Sequence, residues 1–335
     1  MSGGVDSTAC ALLLREKYQV HGFFMQLAQP DLKLQLQRVK EIAAQCAIPL
    51  TVIDLRARFE EKVLNYFADS YLNGRTPNPC MNCNREIKFG LFMDSILAQG
   101  MEQIATGHYA NITEEDGCLL LEQENDETKD QSYFLARLSQ QQLARVVFPL
   151  GKMTKTAVYD FVEEHGFTAF RGQESQDVCF LGEESVGHFL ETRNTVSGEG
   201  GDIVDVDGQV LGHHNGIYNY TIGQRRGLGI AAAAPLYVIR INAADNRIIV
   251  GENDALFQER IEIQDALWHC GKEPRPDCDY RVRIRYGHRG EKAQIRPTGD
   301  SRYSITFSEK QRAVTPGQFA VIYDENRVIG SGEIL

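Results

Sequence analysis

The sequence predicts an α/β fold followed by β structure: a doubly wound parallel-sheet domain, then a small central domain, then a C-terminal β-barrel-like domain. Three observations carry this expectation. Residues 1–185 alternate helix-period segments with short apolar runs, the βαβ pattern of a parallel sheet. From about 195, Gly198, Gly200, Gly201, Gly208, Gly212 and Gly216 punctuate short apolar runs. From 236 onward most segments alternate as strands do, Tyr280–Arg285 among them. The 335 residues exceed the roughly 100–200 of a single domain, and the changes in texture place divisions at 1–189, 190–255 and 256–335.

Each element follows from its local pattern. Apolar positions recur at helical spacing after Asp6, Val20–Met25 reads as a buried strand, 31–47 as an amphipathic helix, and Leu50–Asp54 as a second strand. Helices are expected over about 57–71 and 84–98, with a loop at 72–82 between them and a strand at Gln103–Thr106 after them. Asp116-Gly117 between Asn111-Ile112 and Leu119-Leu120-Leu121 predicts a tight hairpin. In a doubly wound sheet, ligands bind beyond the carboxyl ends of the strands.

Composition narrows the class. Hydrophobic residues make up 42% and charged residues 24%, and no apolar run approaches the roughly 18 residues of a membrane span, so a cytoplasmic protein without a membrane partner is expected. Eight cysteines at irregular spacing in a chain of this size point to thiol or metal chemistry in a reducing compartment. The net charge of −11 is unevenly spread: residues 281–312 hold nine basic side chains against three acidic ones. Such a strip is either a solvated β-face or a phosphate footprint compatible with RNA.

Two clusters carry chemistry. Ser2-Gly3-Gly4-Val5-Asp6-Ser7 opens a helix. Consecutive glycines let the backbone turn tightly and approach an anion, and Ser2, Asp6 and Ser7 are expected at capping and first-turn positions where free N–H groups face a pyrophosphate. The plainer alternative is a glycine turn capping an ordinary helix. Pro77-Asn78-Pro79-Cys80-Met81-Asn82-Cys83-Asn84 sets a CxxC between a Pro-restricted loop and a helix start, where a helix N-terminus lowers a thiol pKa. Alone it is equally a zinc half-site or chance. Cys179, in Glu174-Ser175-Gln176-Asp177-Val178-Cys179-Phe180, reads by itself as a small apolar residue, and Cys10, Cys46, Cys118, Cys270 and Cys278 read as structural.

SGGVDS (Ser2–Ser7), Gly22–Met25, Thr76–Asn84, ATGHYA (Ala105–Ala110), KDQSYFL (Lys129–Leu135), Phe148–Gly151, Ser175–Phe180, YTIGQRRGLGI (Tyr220–Ile230) and AVTPGQ (Ala313–Gln318) together span nearly the whole chain. With these blocks the sequence resembles the bacterial tRNA-specific 2-thiouridylases, members of the PP-loop ATP pyrophosphatases. The resemblance implies an adenine nucleotide alpha hydrolase-like first domain, ATP with Mg2+, a tRNA partner and a sulfur-relay donor. It implies that the carbon-2 oxygen of the wobble uridine is adenylated, that a Cys179 persulfide delivers sulfur, and that Cys83 then forms a disulfide with Cys179.

The family's ATP contacts fall on Ser2, Gly3, Gly4, Asp6 and Ser7, with Met25 and Gly107 around the nucleoside. Its target-base and tRNA contacts fall on Asn78, Pro79, Cys80, His108, Lys129, Asp130, Gln131, Arg285, Tyr286 and Gln318. On their own terms His108 reads equally as a core histidine and Lys129-Asp130-Gln131 as a polar turn, whereas Arg285-Tyr286 pairs a guanidinium with a stacking surface suited to an RNA loop. Three departures stand out. Family members have a strand ahead of SGGVDS, the link at 26–33 is short, and Cys80 occupies a position that is often aspartate. The last opens an alternative in which Cys80, Cys83 and Cys179 hold a four-iron, four-sulfur cluster. A different PP-loop synthetase would keep SGGVDS without needing the cysteine pair.

Overall fold

The computed structural model describes residues 1–124, 129–170, 178–182, 184–193 and 199–335. The first part is built from helices around short parallel strands. Strand β1 (Gly22–Gln26) pairs in parallel with β2 (Leu50–Asp54), and the helix Leu32–Gln45 makes the crossover, burying Val39, Ile42 and Ala43. A second parallel pair joins β3 (Ile104–Ala105) to β6 (Val146–Val147), so among the described residues the parallel strands of the first part fall in two pairs. Between them β4 (Asn111–Glu115) and β5 (Cys118–Glu122) form the expected hairpin. Asp116 at φ 52° and Gly117 at φ 75° supply its two left-handed turn residues.

The helical run from Arg56 to Leu72 passes through a π-helical turn at Glu60–Leu64. The run that starts at Pro79 continues as a π-helix over Cys83–Phe92, with a kink at Gly90 (φ −101°, ψ −109°). Behind the first helix, Val5–Arg15, the helix Lys155–Glu164 contributes Val158, Tyr159 and Val162 to a core shared with Ala9, Leu12 and Tyr109.

The central sheet is β7 (Gly201–Val204), β8 (Val210–His214), β9 (Tyr237–Asn242) and β10 (Arg247–Gly251), in the order β8-β7-β10-β9, closed over Ile203, Ile217, Val238 and Ile248. The third part is a closed barrel of β11 (Phe257–Trp268), β12 (Tyr280–Arg283), β13 (Glu291–Gly299), β14 (Arg302–Arg312), β15 (Phe319–Asp324) and β16 (Arg327–Ile334). Its order is β11-β14-β13-β12-β15-β16, and β11 pairs again with β16 to complete it. Closure removes the free edges a β-sheet otherwise exposes. The interior holds Ile263, Val282, Ile295, Ile305 and Ile322.

The barrel is tied to the first part in three ways. Val328 of β16 pairs with Leu121 of β5, which adds the hairpin to the barrel sheet. Phe319, Val321, Tyr323 and Val328 enter the same apolar cluster as Phe59, Phe67, Met81 and Tyr133. Cys118 of β5 also forms a disulfide with Cys270, which follows β11. Both cysteines are expected from the sequence to be structural, and the bond gives that role its form. Their Cα atoms are 5.6 Å apart because the hairpin lies against the barrel, a long-range placement that spacing in sequence does not encode. Among the described residues no helix is long and apolar enough to cross a membrane. Gly198 and Ser175–Asp177 lie outside the described residues.

Candidate active site

The nucleotide loop is glycine-shaped. Gly3 is left-handed at φ 85°, and Gly4, not Ser2, is the N-cap of the helix Val5–Arg15, with no side-chain cap. The expected capping by Ser2 is therefore corrected. Its hydroxyl turns instead to Ser7 Oγ at 3.2 Å, while the Ser7 hydroxyl donates to Gly4 O at 3.0 Å. The helix's first N–H groups are left without side-chain partners, the arrangement that receives an anion.

Asp6 stands in the first turn and accepts from Lys155 Nζ at 2.7 and 2.8 Å and from Tyr109 Oη at 2.7 Å. Burial, with Asp6 adding to it, pushes the Tyr109 phenol far up, so it remains a donor. A Cβ at Gly107 would stand 2.6 Å from the Asp6 Cβ, so only glycine lets the strand-end loop approach the helix start. Met25 lies near the carboxyl end of β1. Lys155 and Tyr109 escaped sequence reasoning because each is remote in sequence from the loop it serves.

The second cluster surrounds the cysteines. Asn78 caps the helix that begins at Pro79, its Oδ1 accepting from Met81 N at 3.2 Å. Cys80 thus falls in the first turn and Cys83 one turn further in. The expected lowering of the thiol pKa is overturned. Burial pushes Cys83 up to about 12 and raises Cys80 and Cys179 as well, because a desolvated site penalises the thiolate more than a distant helix terminus favours it. Lys88 pulls all three down, and Cys80 and Cys179 each add to the upward shift of Cys83. The π-helical segment explains part of this, since its i to i+5 period sets Lys88 on the face of Cys83.

Lys88 Nζ donates to His108 Nε2 at 3.3 Å, and His108 Nδ1 lies 2.7 Å from Thr106 Oγ1. Burial, then Lys88, holds the His108 pKa well below its ordinary value, so the ring is a neutral acceptor. Cys179 keeps an exposed face, as sulfur exchange with a partner requires. Among the described residues no group of three or more His, Cys, Asp or Glu side chains is placed to hold a metal ion.

The third cluster lies where the first part meets the barrel. Asp130, 1% exposed, accepts from Arg283 Nη1 at 2.8 Å, Ser132 N at 3.0 Å and Gln123 Nε2 at 3.0 Å. Asn78 and Pro79 are also buried. In the chain alone Asp130 and Asn78, both expected to contact tRNA, spend their side-chain oxygens on intrachain donors, and Pro79 is packed inside. Gln131 Oε1 accepts from Tyr109 N at 3.1 Å, which ties this segment to the nucleotide loop. Lys129 is half-buried beside them. Arg283, absent from the sequence-based set, is the barrel's anchor.

Tyr286 is 38% exposed with its ring 4.5 Å from Phe134, a stepped aromatic surface at the rim. Arg285 Nη1 donates to Arg312 O at 3.2 Å and Ala313 O at 3.4 Å. Gln318 Nε2 donates to Thr76 O at 2.9 Å and Pro77 O at 3.1 Å.

The fold and the clustered side chains define an α/β enzyme with a C-terminal β-barrel, and comparison agrees in three consecutive segments. Residues 1–183 match the tRNA methyl transferase HUP domain, 187–252 the tRNA methyl transferase PRC-barrel domain, and 258–334 the aminomethyltransferase beta-barrel domain. The chain is similar to the tRNA-specific 2-thiouridylase MnmA of Desulfotalea psychrophila, 52% identical over 100% of this chain and 97% of that protein. It is likewise similar to those of Syntrophotalea carbinolica (43%, 100% and 97%) and Clostridium tetani (38%, 100% and 95%). The chain belongs to the MnmA-type tRNA 2-thiouridylase family.

Proposed function

We propose that this chain catalyses ATP-dependent 2-thiolation of the wobble uridine of tRNA, within domains spanning 1–189, 190–255 and 256–335. The observation that carries the reading is the glycine-turned helix start, where Asp6 is held by Lys155 and Tyr109, in a chain whose Cys80, Cys83 and Cys179 all feel the charge of Lys88.

Gly3, Gly4, Asp6 and Ser7 receive the phosphates with Mg2+, and Met25 and Gly107 flank the nucleoside. The uridine carbon-2 oxygen attacks the α-phosphorus, pyrophosphate departs, and the base carries an O-linked AMP. The terminal sulfur of a Cys179 persulfide, charged by a sulfur-relay donor, attacks carbon 2 and AMP leaves with the C–O bond pair. The Cys83 thiol then gives up its proton to solvent and its sulfur attacks the Cys179 sulfur. The S–S bond to the base breaks, its electron pair stays on the base sulfur as the 2-thio group, and Cys83 and Cys179 end as a disulfide, which an external dithiol reduces. Lys88 supplies the positive charge that offsets burial of these thiols. Arg285 and Tyr286 contact phosphate and a stacked base, with Lys129, Gln131 and His108 completing the tRNA side.

The test is nucleoside mass spectrometry of tRNA incubated with ATP and a sulfide source. Cys83→Ser and Cys179→Ser should each yield no 2-thiouridine, while Cys80→Asp retains most activity. Product at the parent rate from Cys179→Ser would sink the assignment.

A further inference from the structure

All three parts of the molecule meet on one short stretch, Arg75–Pro77, which leads directly into Asn78 and the CxxC helix. From the barrel, Pro316 O accepts from Thr76 N at 2.9 Å, Ile334 O accepts from Arg75 Nη2 at 3.2 Å, and Glu333 pairs with Arg75 at 2.9 Å. From the central part, Thr221 Oγ1 lies 3.5 Å from Thr76 Oγ1. The most directed of these contacts is the Gln318 side-chain amide, which spends both hydrogens on the successive carbonyls of Thr76 and Pro77. Those carbonyls belong to the non-helical approach to Pro79, where the backbone makes no helical bonds of its own.

We propose that Gln318 is a positioning residue that couples the barrel to the reactive cysteines: by holding the carbonyls of Thr76 and Pro77 it sets where the helix bearing Cys80 and Cys83 begins. This rests on the 2-thiouridylase reading above and replaces direct tRNA contact as the main role of Gln318. Three features support it. The neighbouring Gly317 is left-handed at φ 90°, and a Cβ there would stand 3.0 Å from Thr76 O, so the barrel loop is shaped to press against this segment. The space between the CxxC helix and the barrel is not filled throughout: Met81, Asn82 and Arg85 border a cavity of about 140 Å³ together with Arg137 of the first part and Phe319 and Glu333 of the barrel. Where a gap is left between helix and barrel, hydrogen bonds add to packing in holding the helix's pose. Cys83 must meet Cys179 within bonding distance, and misplacement by about 1 Å is enough to cost on the order of a hundredfold in rate.

Gln318→Glu replaces the two donors with a carboxylate facing two carbonyl oxygens at unchanged size, and Gln318→Met removes the donors without adding charge. In the full chain, three readings are taken: iodoacetamide labelling rates of Cys80 and Cys83 without tRNA or ATP, tRNA affinity across a salt series, and kcat for 2-thiouridine formation. Both variants should label at least about fivefold faster at Cys80 and Cys83 and lose about tenfold in kcat, with tRNA affinity held within about twofold of the parent. Labelling rates within about twofold of the parent in both variants overturn the proposal. So does a tenfold loss of tRNA affinity with unchanged labelling, which would return Gln318 to direct tRNA contact. If Gln318→Glu does not fold, as read by circular dichroism, Gln318→Met decides alone. If the parent forms no 2-thiouridine, the functional reading fails while the labelling rates still decide this one.

Discussion

At the scale of single residues, burial outweighs local electrostatics at the cysteines. Cys83 is protonated in the folded chain because its pKa rises from 9.0 to about 12, so the thiol form favours folding. That contribution is complete below pH 9 and is lost as pH climbs toward 12. Labelling of Cys83 by iodoacetamide should therefore keep rising through pH 10 with no plateau, and Lys88→Met should slow it further at every pH by removing a cation that acts on all three thiols. A plateau near pH 8 contradicts this account. Asp6 is subject to a different balance. Its carboxylate is already compensated by Lys155 and Tyr109, so Asp6→Asn should abolish AMP formation while costing only about 1 kcal/mol of stability, measurable by denaturant titration.

Elements show which features a sequence carries openly. The helix at Leu32–Gln45, the strand at Leu50–Asp54 and the Asp116-Gly117 hairpin were legible because each depends on periodicity or turn chemistry within a dozen residues. The direction of the Cys83 pKa was not, because desolvation is decided by what packs over the helix rather than by its first turn. Lys155 beside Asp6 and Lys88 beside His108 were equally hidden, each pair being remote or on an irregular helical period. The kink and close approaches follow the same logic. Gly107→Ala should displace the loop from the first helix, since its new methyl meets the Asp6 Cβ at 2.6 Å and the Asp6 backbone carbon at 2.9 Å. We expect a loss of about 1–3 kcal/mol from such overpacking, read as a lowered melting temperature, together with weakened ATP binding in calorimetry.

For the whole molecule, the junction between the first part and the barrel is polar at its centre. Asp130 and Arg283 are almost wholly buried, and Arg283 also lies over the rings of Tyr133 and Tyr323 at 5.5 and 5.9 Å. Breaking a buried pair strands a charge, so Arg283→Met should cost about 3–5 kcal/mol, whereas Arg283→Met combined with Asp130→Asn should recover part of it. Urea unfolding of the single and double variants measures the difference. At the rim, Arg285→Ala and Tyr286→Ala should weaken tRNA binding, and Arg285→Ala should reduce its salt dependence, with ATP affinity unchanged. A salt series of tRNA binding isotherms reads both effects.

The Cys118–Cys270 bond makes the chain topologically more than a line. Its two ends are 152 positions apart, so everything between them, including the CxxC-facing Cys179 and all four central strands, is part of one covalent ring, with residues 1–117 and 271–335 as its tails. A single protease cut inside that ring opens it without freeing a fragment. The nicked protein should therefore migrate as one full-mass species on a non-reducing gel and separate into two pieces once a dithiol is added, whereas a cut in either tail separates under both conditions. Cys83 lies in the tail 1–117 and Cys179 in the ring, so a disulfide between them would tie that tail to the ring and add a second closed loop to the first.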